Sequence, residues 1–595
     1  MADPTNAQIA AAMDELGDLY ELDGAIVHRV VAYRNAAKVV RDASVSVSAL
    51  TRAGRVTELA GIGATLEAKF IALLETGDIP AAQRLRAKFP AGLLEMTRLQ
   101  GLGPKRARRL YDELGIDSLQ ALETAARQQR IRDLRGFGAR AEENFLAAIA
   151  RANAAAQENG GNGSGRFVLD RALAIGEPIV EALRTHPASE QVELAGSARR
   201  WAESVKDLDI IATAHDPRAL AEALTQMDVV ESVAGIGDSG ARVRTHTGIG
   251  IDLKVVAPDQ FGNVLQHFTG SKQHNVALRE AAVKRGMHVS EYGVLDDATG
   301  KTLRCATERE VYAALGYQYI EPELRENRGE LQAALLDGGS GLPTLVTEAD
   351  LRGDLHSHTT ASDGKAEIEQ MAEAAQALGY DYLAITDHSA SHGFGDDVSP
   401  QQLEAQIERI HAANAAFPEI ELLAGSEVNI LPDGSLDYPD ELLQQLDWVI
   451  ASVHSSFRLD ERVMTERVLA AIDHPWVDAI GHLTGRKIES RDPIALDVER
   501  IFQAAAANGT MIEINGAPDR RDLNDIHARA AARAGVWILV DSDAHRTTTL
   551  ATSRRYGIAT ARRAWLTAAQ VANTRTWTAF SPLRKRAGGG RQSFR

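Results

Sequence analysis

Val192-Glu-Leu-Ala-Gly-Ser-Ala-Arg-Arg200, with Val205-Lys-Asp-Leu-Asp-Ile-Ile211 directly behind it, decides how the middle of this chain folds. The first run reads as a strand that ends in a tight turn and the start of a helix, where free backbone N–H groups bind anions. Gly196, Ser197 and the guanidiniums of Arg199 and Arg200 at that end suit a triphosphate. The second run alternates like a strand, and its period of two puts Asp207 and Asp209 on one face. A hairpin follows, from Arg242-Val-Arg-Thr245 to Gly248-Ile-Gly250, and leads into Ile251-Asp-Leu-Lys-Val-Val256, whose Asp252 can meet the other two. Three converging carboxylates repel unless a cation neutralises them, so Mg²⁺ or Mn²⁺ is the expected occupant. Asp-Leu-Asp alone would equally fit the solvated face of an edge strand; the Gly-Ser-x-Arg-Arg upstream favours a site.

Downstream, from about 345 onward, apolar runs repeatedly end in metal-binding side chains. The endings are Asp354-Leu-His356-Ser-His358, Asp387-His388, Glu427, His454, His482 and Asp541-Ser-Asp543-Ala-His545, with helical stretches between most of them. A further run, Thr510-Met-Ile-Glu513-Ile-Asn515, also ends in polar residues. Such ends predict a β/α barrel whose active site lies at the C-terminal face of its strands. A lone His after a strand is more often a packing or surface residue, but six of the 17 histidines occupy equivalent strand ends here. Imidazole and carboxylate without thiolate suit Zn²⁺, Mn²⁺ or Fe²⁺ better than Mg²⁺ alone, and water between such ions can attack phosphorus. His392, His411, His474 and His527 read as surface or packing residues.

Upstream, an Ala-rich helical region repeats a short pattern: Leu59-Ala-Gly61-Ile-Gly63, Leu99-Gln-Gly101-Leu-Gly103 and Leu134-Arg-Gly136-Phe-Gly138, each leading into a helix. Two glycines around one apolar residue make a turn that can grip a phosphate, the logic of a helix-hairpin-helix clamp on a nucleic-acid backbone. One copy alone would equally be a helix cap. The second copy is followed by Lys105, Arg106, Arg108 and Arg109, a basic run that predicts DNA contact. After the first copy, Leu66, Phe70, Leu73 and Leu74 form a helical stripe with Lys69 at its edge. An amine partly desolvated there is a usable nucleophile, although a lysine covering the stripe would look the same.

The length of 595 residues requires several domains. Two Gly-rich breaks, 157–165 and 337–343, read as flexible linkers, and 581–595 reads as a basic disordered tail. The net charge of −17 discourages polyanion binding on average, yet residues 1–160 carry 21 Lys+Arg against 20 Asp+Glu, which leaves a net of −18 on the rest. A single cysteine, Cys305, excludes an internal disulfide and thiolate zinc modules. Neither a membrane span nor a secretory start is read, so a cytoplasmic location is expected.

The segment His28-Arg-Val-Val-Ala-Tyr33-Arg34, with Lys69 after the first Gly-x-Gly turn, resembles the lyase domain of family X DNA polymerases, the group containing polymerase beta. That resemblance implies a Schiff-base role for Lys69 and a 5′-phosphate pocket around His28, Arg29, Tyr33 and Arg34, although Thr65 stands where relatives often carry a basic residue. The order Gly-Ser-x-Arg-Arg, Asp-x-Asp and a later strand Asp is similar to the family's nucleotidyltransferase palm. It implies that Ser197 and Arg200 touch the triphosphate, as Gly196 does with its backbone. Phe268-Thr-Gly270-Ser271-Lys-Gln-His-Asn275 looks like the nucleotide-pocket segment, with Gly270, Asn275 and Arg279 at the nascent pair.

The His-rich region resembles the polymerase and histidinol phosphatase (PHP) domain, a distorted barrel with three metal ions. By motif, His356, His358, Glu427 and Asp543 would bind the first ion, Glu427, His454 and His482 the second, and Asp363, His388 and His545 the third.

These readings predict a multidomain α and α/β chain. A helical lyase-like region (1–80) and a helix-hairpin-helix region (81–155) precede a palm (166–260), a thumb or fingers subdomain (261–332) and a PHP barrel (345–575). The expected activity is gap-filling DNA synthesis by a monomer on gapped or nicked DNA with deoxynucleoside triphosphates, coupled to metal-dependent 3′–5′ exonuclease or 3′-end phosphoesterase chemistry. Two competitors are a DNA-end phosphoesterase or abasic-site endonuclease whose polymerase half serves as a clamp, and a non-enzymatic end-binding scaffold.

Overall fold

The computed structural model describes residues 3–99, 101–159, 165–391, 393 and 397–585. The core of the first linker (160–164), most of the basic tail (586–595) and His392 lie outside them. The chain divides into two compact units: residues 1–167, 174–194 and 206–257 form one, and residues 168–173, 195–205 and 258–595 form the other. The stretch 195–205 joins the second unit while the strands on either side of it belong to the first.

The first unit opens on the helices Asn6–Leu22 and Val27–Asp42, the former started by a Thr5–Gln8 capping box. Each Gly-x-Gly copy then leads into a helix, Ala64–Thr76, Gly103–Leu114 and Ala139–Asn159 respectively. The leading glycine of each copy has the same left-handed backbone, with φ of +90° at Gly61, +87° at Gly101 and +87° at Gly136. Only glycine adopts that conformation without strain, which is why the pattern repeats.

The same unit holds a five-stranded sheet of β1 (Ser189–Leu194), β2 (Asp207–Ala214), β3 (Val230–Gly237), β4 (Gly240–Thr245) and β5 (Gly250–Val255), in the order β1-β2-β5-β4-β3. β2 and β5 run parallel, and the other neighbours are antiparallel.

In the second unit the helices Phe261–Thr269 and Lys272–Val283 and the small sheet β6 (Met287–Ser290), β7 (Gly293–Asp296) and β8 (Lys301–Leu303) precede the barrel. The stretch 337–343, read as a flexible linker, is a largely exposed turn tied back to the chain before it. Gly341 N donates to the Ala333 carbonyl at 3.0 Å, and a Cβ at Gly339 would lie 2.4 Å from the Leu335 carbonyl oxygen. Gly339 permits the close backbone approach, while a Cβ at Gly338 or Gly341 would meet nothing within 4 Å.

Seven parallel strands follow in sequential order: β9 (Gly353–Asp354), β10 (Tyr382–Ile385), β11 (Glu421–Asn429), β12 (Trp448–Ser452), β13 (Ala479–Ile480), β14 (Met511–Asn515) and β15 (Ile538–Asp541). Ser357 pairs in parallel with Ala544, which brings the first and last strands' ends together. Period two divides the strand residues between two cores. Tyr382, Ala384, Leu423, Trp448, Ile450, Met511 and Leu539 pack on one another with Phe580, while Leu383, Ile385, Leu422, Val449, Ile512 and Ile538 pack with the helices. Glu427, Glu513 and Asp541 share strand parity with the first set, two or four residues further along.

Candidate metal centres and nucleotide site

Glu427 is the hub of the barrel cluster. It lies within β11, two residues before that strand ends, and is 1% exposed. Its Oε2 is 2.9 Å from His388 Nδ1, 3.4 Å from His356 Nε2 and 3.7 Å from His358 Nε2. Its Oε1 is 2.8 Å from His482 Nε2 and 3.2 Å from His454 Nε2. Asp543 Oδ1 lies 3.1 Å from His358 Nε2 and 3.6 Å from His356 Nε2, and Asp363 Oδ1 lies 3.2 Å from His545 Nε2 and 3.6 Å from His388 Nε2.

All nine side chains singled out in the sequence therefore meet in one place, in four overlapping groups. His356, His358 and Asp543 form one; Glu427 joins His356 with His482 in a second and His388 with His454 in a third; Asp363, His358, His388 and His545 form the fourth. The grouping is more interwoven than the motif-based partition, since His356, His358 and His388 each belong to two groups.

Neighbouring residues fix the imidazole tautomers. Glu513 Oε1 takes His356 Nδ1 at 2.6 Å, Asn429 Oδ1 takes His454 Nδ1 at 2.5 Å, and the Asp543 carbonyl takes His545 Nδ1 at 2.8 Å. With Nδ1 engaged, Nε2 is the ring atom that each turns toward the cluster. Both Glu427 oxygens, His356 Nε2 and Asp363 Oδ1 are buried with no hydrogen bond. Acceptors facing acceptors in a dry site fit divalent cations, and the all-N,O donor set suits Zn²⁺, Mn²⁺ or Fe²⁺.

Charge divides the imidazoles into two sets. Burial and the neighbouring imidazoles hold His358 down at about 4, and burial with the nearby Arg520 guanidinium holds His482 at about 3, so both rings stay neutral as ligands must be. At His545 burial is outweighed by the Asp363 carboxylate 3.2 Å away, which lifts the ring to about 9, and His356 and His388 are raised against burial by their carboxylate neighbours, so these rings carry protons that a bound cation would displace. Glu427, although buried, is held well below the carboxylate range by His454, His356 and His388. Arg520 Nε, 3.6 Å from Asp543 Oδ2, adds a cation at the cluster.

On the palm sheet, Asp209 stands directly opposite Asp252 in the parallel register of β2 and β5, and Asp207 stands opposite Gly250. The third carboxylate is thus brought to the first two by register. Arg242, across from Asp252 on β4, places Nη2 2.9 Å from Asp252 Oδ2.

In the second unit Gly196 begins the short helix Gly196–Arg199 with φ +65°. Arg199 pairs with Glu308 at 2.7 Å, and Arg200 pairs with Glu326 at 3.1 Å while donating from Nη1 to the Thr269 carbonyl at 2.5 Å. Ser197 is half-buried and Arg279 exposed. Gly270 has φ +67°, and a Cβ there would lie 3.3 Å from Arg200 Nη1. Asn275 donates to the His267 carbonyl at 2.7 Å and accepts from Gln266 at 2.9 Å.

In the helical region Lys69 is half-buried beside Leu66 and Phe70. His28 is exposed, Tyr33 stacks on Tyr20 at 5.3 Å, and Arg34 pairs with Asp18 at 3.1 Å and Glu21 at 2.6 Å. Lys105 is exposed, and Arg109 pairs with Glu113 at 3.0 Å. Arg106 turns inward: it donates to the Gly101 carbonyl at 2.6 Å and lies 4.7 Å from the Phe137 ring centre.

Sequence reasoning missed Glu513, Asn429, Arg520 and Arg242. The polar end of the Thr510–Asn515 run was the one available signal for Glu513; for the others only strand register and barrel closure reveal the role.

Four family models match the chain: a helix-hairpin-helix domain over residues 4–79, a SAM-like helix-hairpin-helix tandem over 93–151, a DNA polymerase beta thumb over 264–326 and a PHP domain over 354–517. The DNA polymerase/3′-5′ exonuclease PolX of Bacillus subtilis is 35% identical over 570 residues, which covers 96% of this chain and 97% of that protein. A "probable phosphatase" of Acetivibrio thermocellus is 32% identical over 32% of this chain and 78% of its own length. Another, from Caldanaerobacter subterraneus, is 34% identical over 32% of this chain and 75% of its own.

Proposed function

Because this chain belongs to the family X DNA polymerases that carry a PHP domain, we propose that it fills short gaps in DNA by templated nucleotide addition and trims 3′ ends at its barrel. The carrying observation is one acidic centre on each compact unit: Asp209 in register with Asp252, and a cluster of nine ligand-type side chains with the buried Glu427 at its hub. The full-length similarity to a polymerase with 3′–5′ exonuclease in its name supports reading the two centres together.

On the palm, Asp207, Asp209 and Asp252 would hold Mg²⁺ or Mn²⁺. In the barrel, His356, His358, Glu427 and Asp543 would hold one ion, Glu427, His454 and His482 a second, and Asp363, His388 and His545 a third. Bound divalent ions supply Lewis acidity and lower the pKa of water.

The chain's own residues do the rest. Asp252 stands beside Asp209 to receive the primer end, and Arg242 balances its charge. Ser197 and Arg200 bind triphosphate, and Asn275 and Arg279 face the nucleotide. Glu513 and Asn429 keep His356 and His454 in the ligating tautomer, and Arg520 offsets the phosphate charge at the barrel mouth. The hairpin turns at Gly61, Gly63, Gly101 and Gly103 grip the DNA backbone with Lys105 and Arg109, beside His28, Tyr33 and Arg34 for a 5′-phosphate. Lys69 serves as a lyase amine.

Primer extension on gapped DNA and release of 3′-terminal nucleotides, assayed side by side, test the reading. Asp209→Ala should abolish extension and spare 3′ release; His358→Ala should do the reverse. Extension that survives Asp209→Ala overturns the palm assignment.

A further inference from the structure

Residues 195–205, the nucleotide-binding turn and its sequel, associate with 258–595. Three anchors tie them to the barrel. Arg563, which ends the helix Thr547–Arg563, donates from Nη1 to the Arg200 carbonyl at 2.6 Å and to Glu326 Oε1 at 3.0 Å. The same Glu326 oxygen accepts from Arg200 Nε at 3.1 Å. Trp201, at φ +56°, packs edge-on against Tyr556 at 5.6 Å with the Arg555 guanidinium 4.8 Å from its ring centre. Glu203 takes both terminal nitrogens of Arg486, at 3.0 and 2.6 Å.

These anchors constrain Arg200 from its backbone and from its head group at once. A carboxylate paired with Arg200 alone would cancel the charge that attracts a triphosphate. Shared with Arg563, Glu326 leaves the triad a net positive charge while still fixing the guanidinium. Arg563 is itself held from behind by Asp525 at 3.1 Å; Asp525 is shared in turn with Arg328 at 2.8 Å, so the five groups keep a net positive charge and the arrangement is preorganised before nucleotide arrives.

We propose that the PHP barrel is the scaffold of the nucleotide-binding turn, with Arg563 as the positioning residue that holds Glu326 and the Arg200 peptide for the incoming triphosphate. This gives the barrel a part in synthesis that is separate from its own chemistry at the 3′ end. It rests on the reading of Arg200 as a triphosphate ligand.

The test uses the full-length protein and steady-state nucleotide incorporation, with 3′ release and thermal melting measured in parallel. Arg563→Gln should raise the nucleotide KM on the order of tenfold, the effect of one misplaced charge-assisted hydrogen bond, with kcat within about threefold and 3′ release unchanged. Arg563→Lys, which keeps the charge, should lie closer to wild type. Glu203→Gln loosens the same stretch through an independent ion pair and should raise KM in the same direction; it decides alone if Arg563→Gln does not fold. A KM within about twofold of wild type in the folded Gln variants, a Lys variant no better than Gln, or a parallel loss of 3′ release overturns the proposal. Arg200→Ala is the reference: if it leaves KM unchanged, the reading of Arg200 fails and the role of Arg563 falls with it.

Discussion

Glu513 lies on β14 with no solvent exposure, one oxygen on His356 Nδ1 and the other accepting the His482 backbone N–H at 2.6 Å. Removing its charge should loosen a ligand it never replaces. Glu513→Gln is expected to lower 3′ release and metal affinity by roughly 10–100-fold while leaving primer extension intact, as measured by metal titration beside both assays. The residue was illegible as a partner because a single Glu in an apolar run has no spacing to mark it. His356 and His358 carried their own signal in the His-x-His pair. Arg242 was hidden for the same reason: its link to Asp252 is a cross-strand register, ten positions apart in the chain.

At the scale of elements, the hairpin repeats were legible because a left-handed turn demands glycine, and three copies made the demand visible. A Cβ at Gly101 would meet nothing within 4 Å, so Gly101→Ala carries only backbone strain, about 1–2 kcal/mol, and should lower both melting temperature and DNA affinity. The basic run after it divides by direction. Replacing Lys105 and Arg109 together should flatten the salt dependence of DNA binding by roughly one unit of slope for each phosphate no longer neutralised, with little effect on melting. Arg106→Ala should instead destabilise the hairpins, since its guanidinium lies over Phe137 and on the Gly101 carbonyl. At 337–343 glycine composition does not tell a loose linker from an exposed turn tied back by a backbone hydrogen bond.

For the whole molecule, pH and metal act through the buried charge of the barrel. Burial lifts Asp522 from its ordinary 3.8 to about 6, although it accepts from the Thr484 backbone N–H at 3.0 Å. The folded chain therefore keeps a proton that the unfolded chain releases between about pH 4 and 6. That contribution is complete below about pH 4 and is lost as the pH rises through 6. Asp522→Asn should flatten this part of the pH dependence of melting. Chelation should abolish 3′ release and lower the barrel's apparent melting temperature by roughly 5–10 °C, the expected scale when ions near a hundredfold above their Kd are removed. Among the described residues no helix is long and apolar enough to cross a membrane, which agrees with the absence of such a run in the sequence.

Local chemistry determined what the sequence could announce by itself: Gly-x-Gly turns, Asp-Leu-Asp on one strand face, and His and Asp at the ends of apolar runs, because turns, strand parity and ligand type are set by neighbours in the chain. Tertiary structure alone decided how nine ligand-type side chains, Glu427 among them, interlock, which second residues hold their tautomers, and that 195–205 leans on the barrel. Those outcomes depend on closing a parallel sheet and on pairings between residues hundreds of positions apart, such as Arg563 with Arg200, for which no sequence period exists.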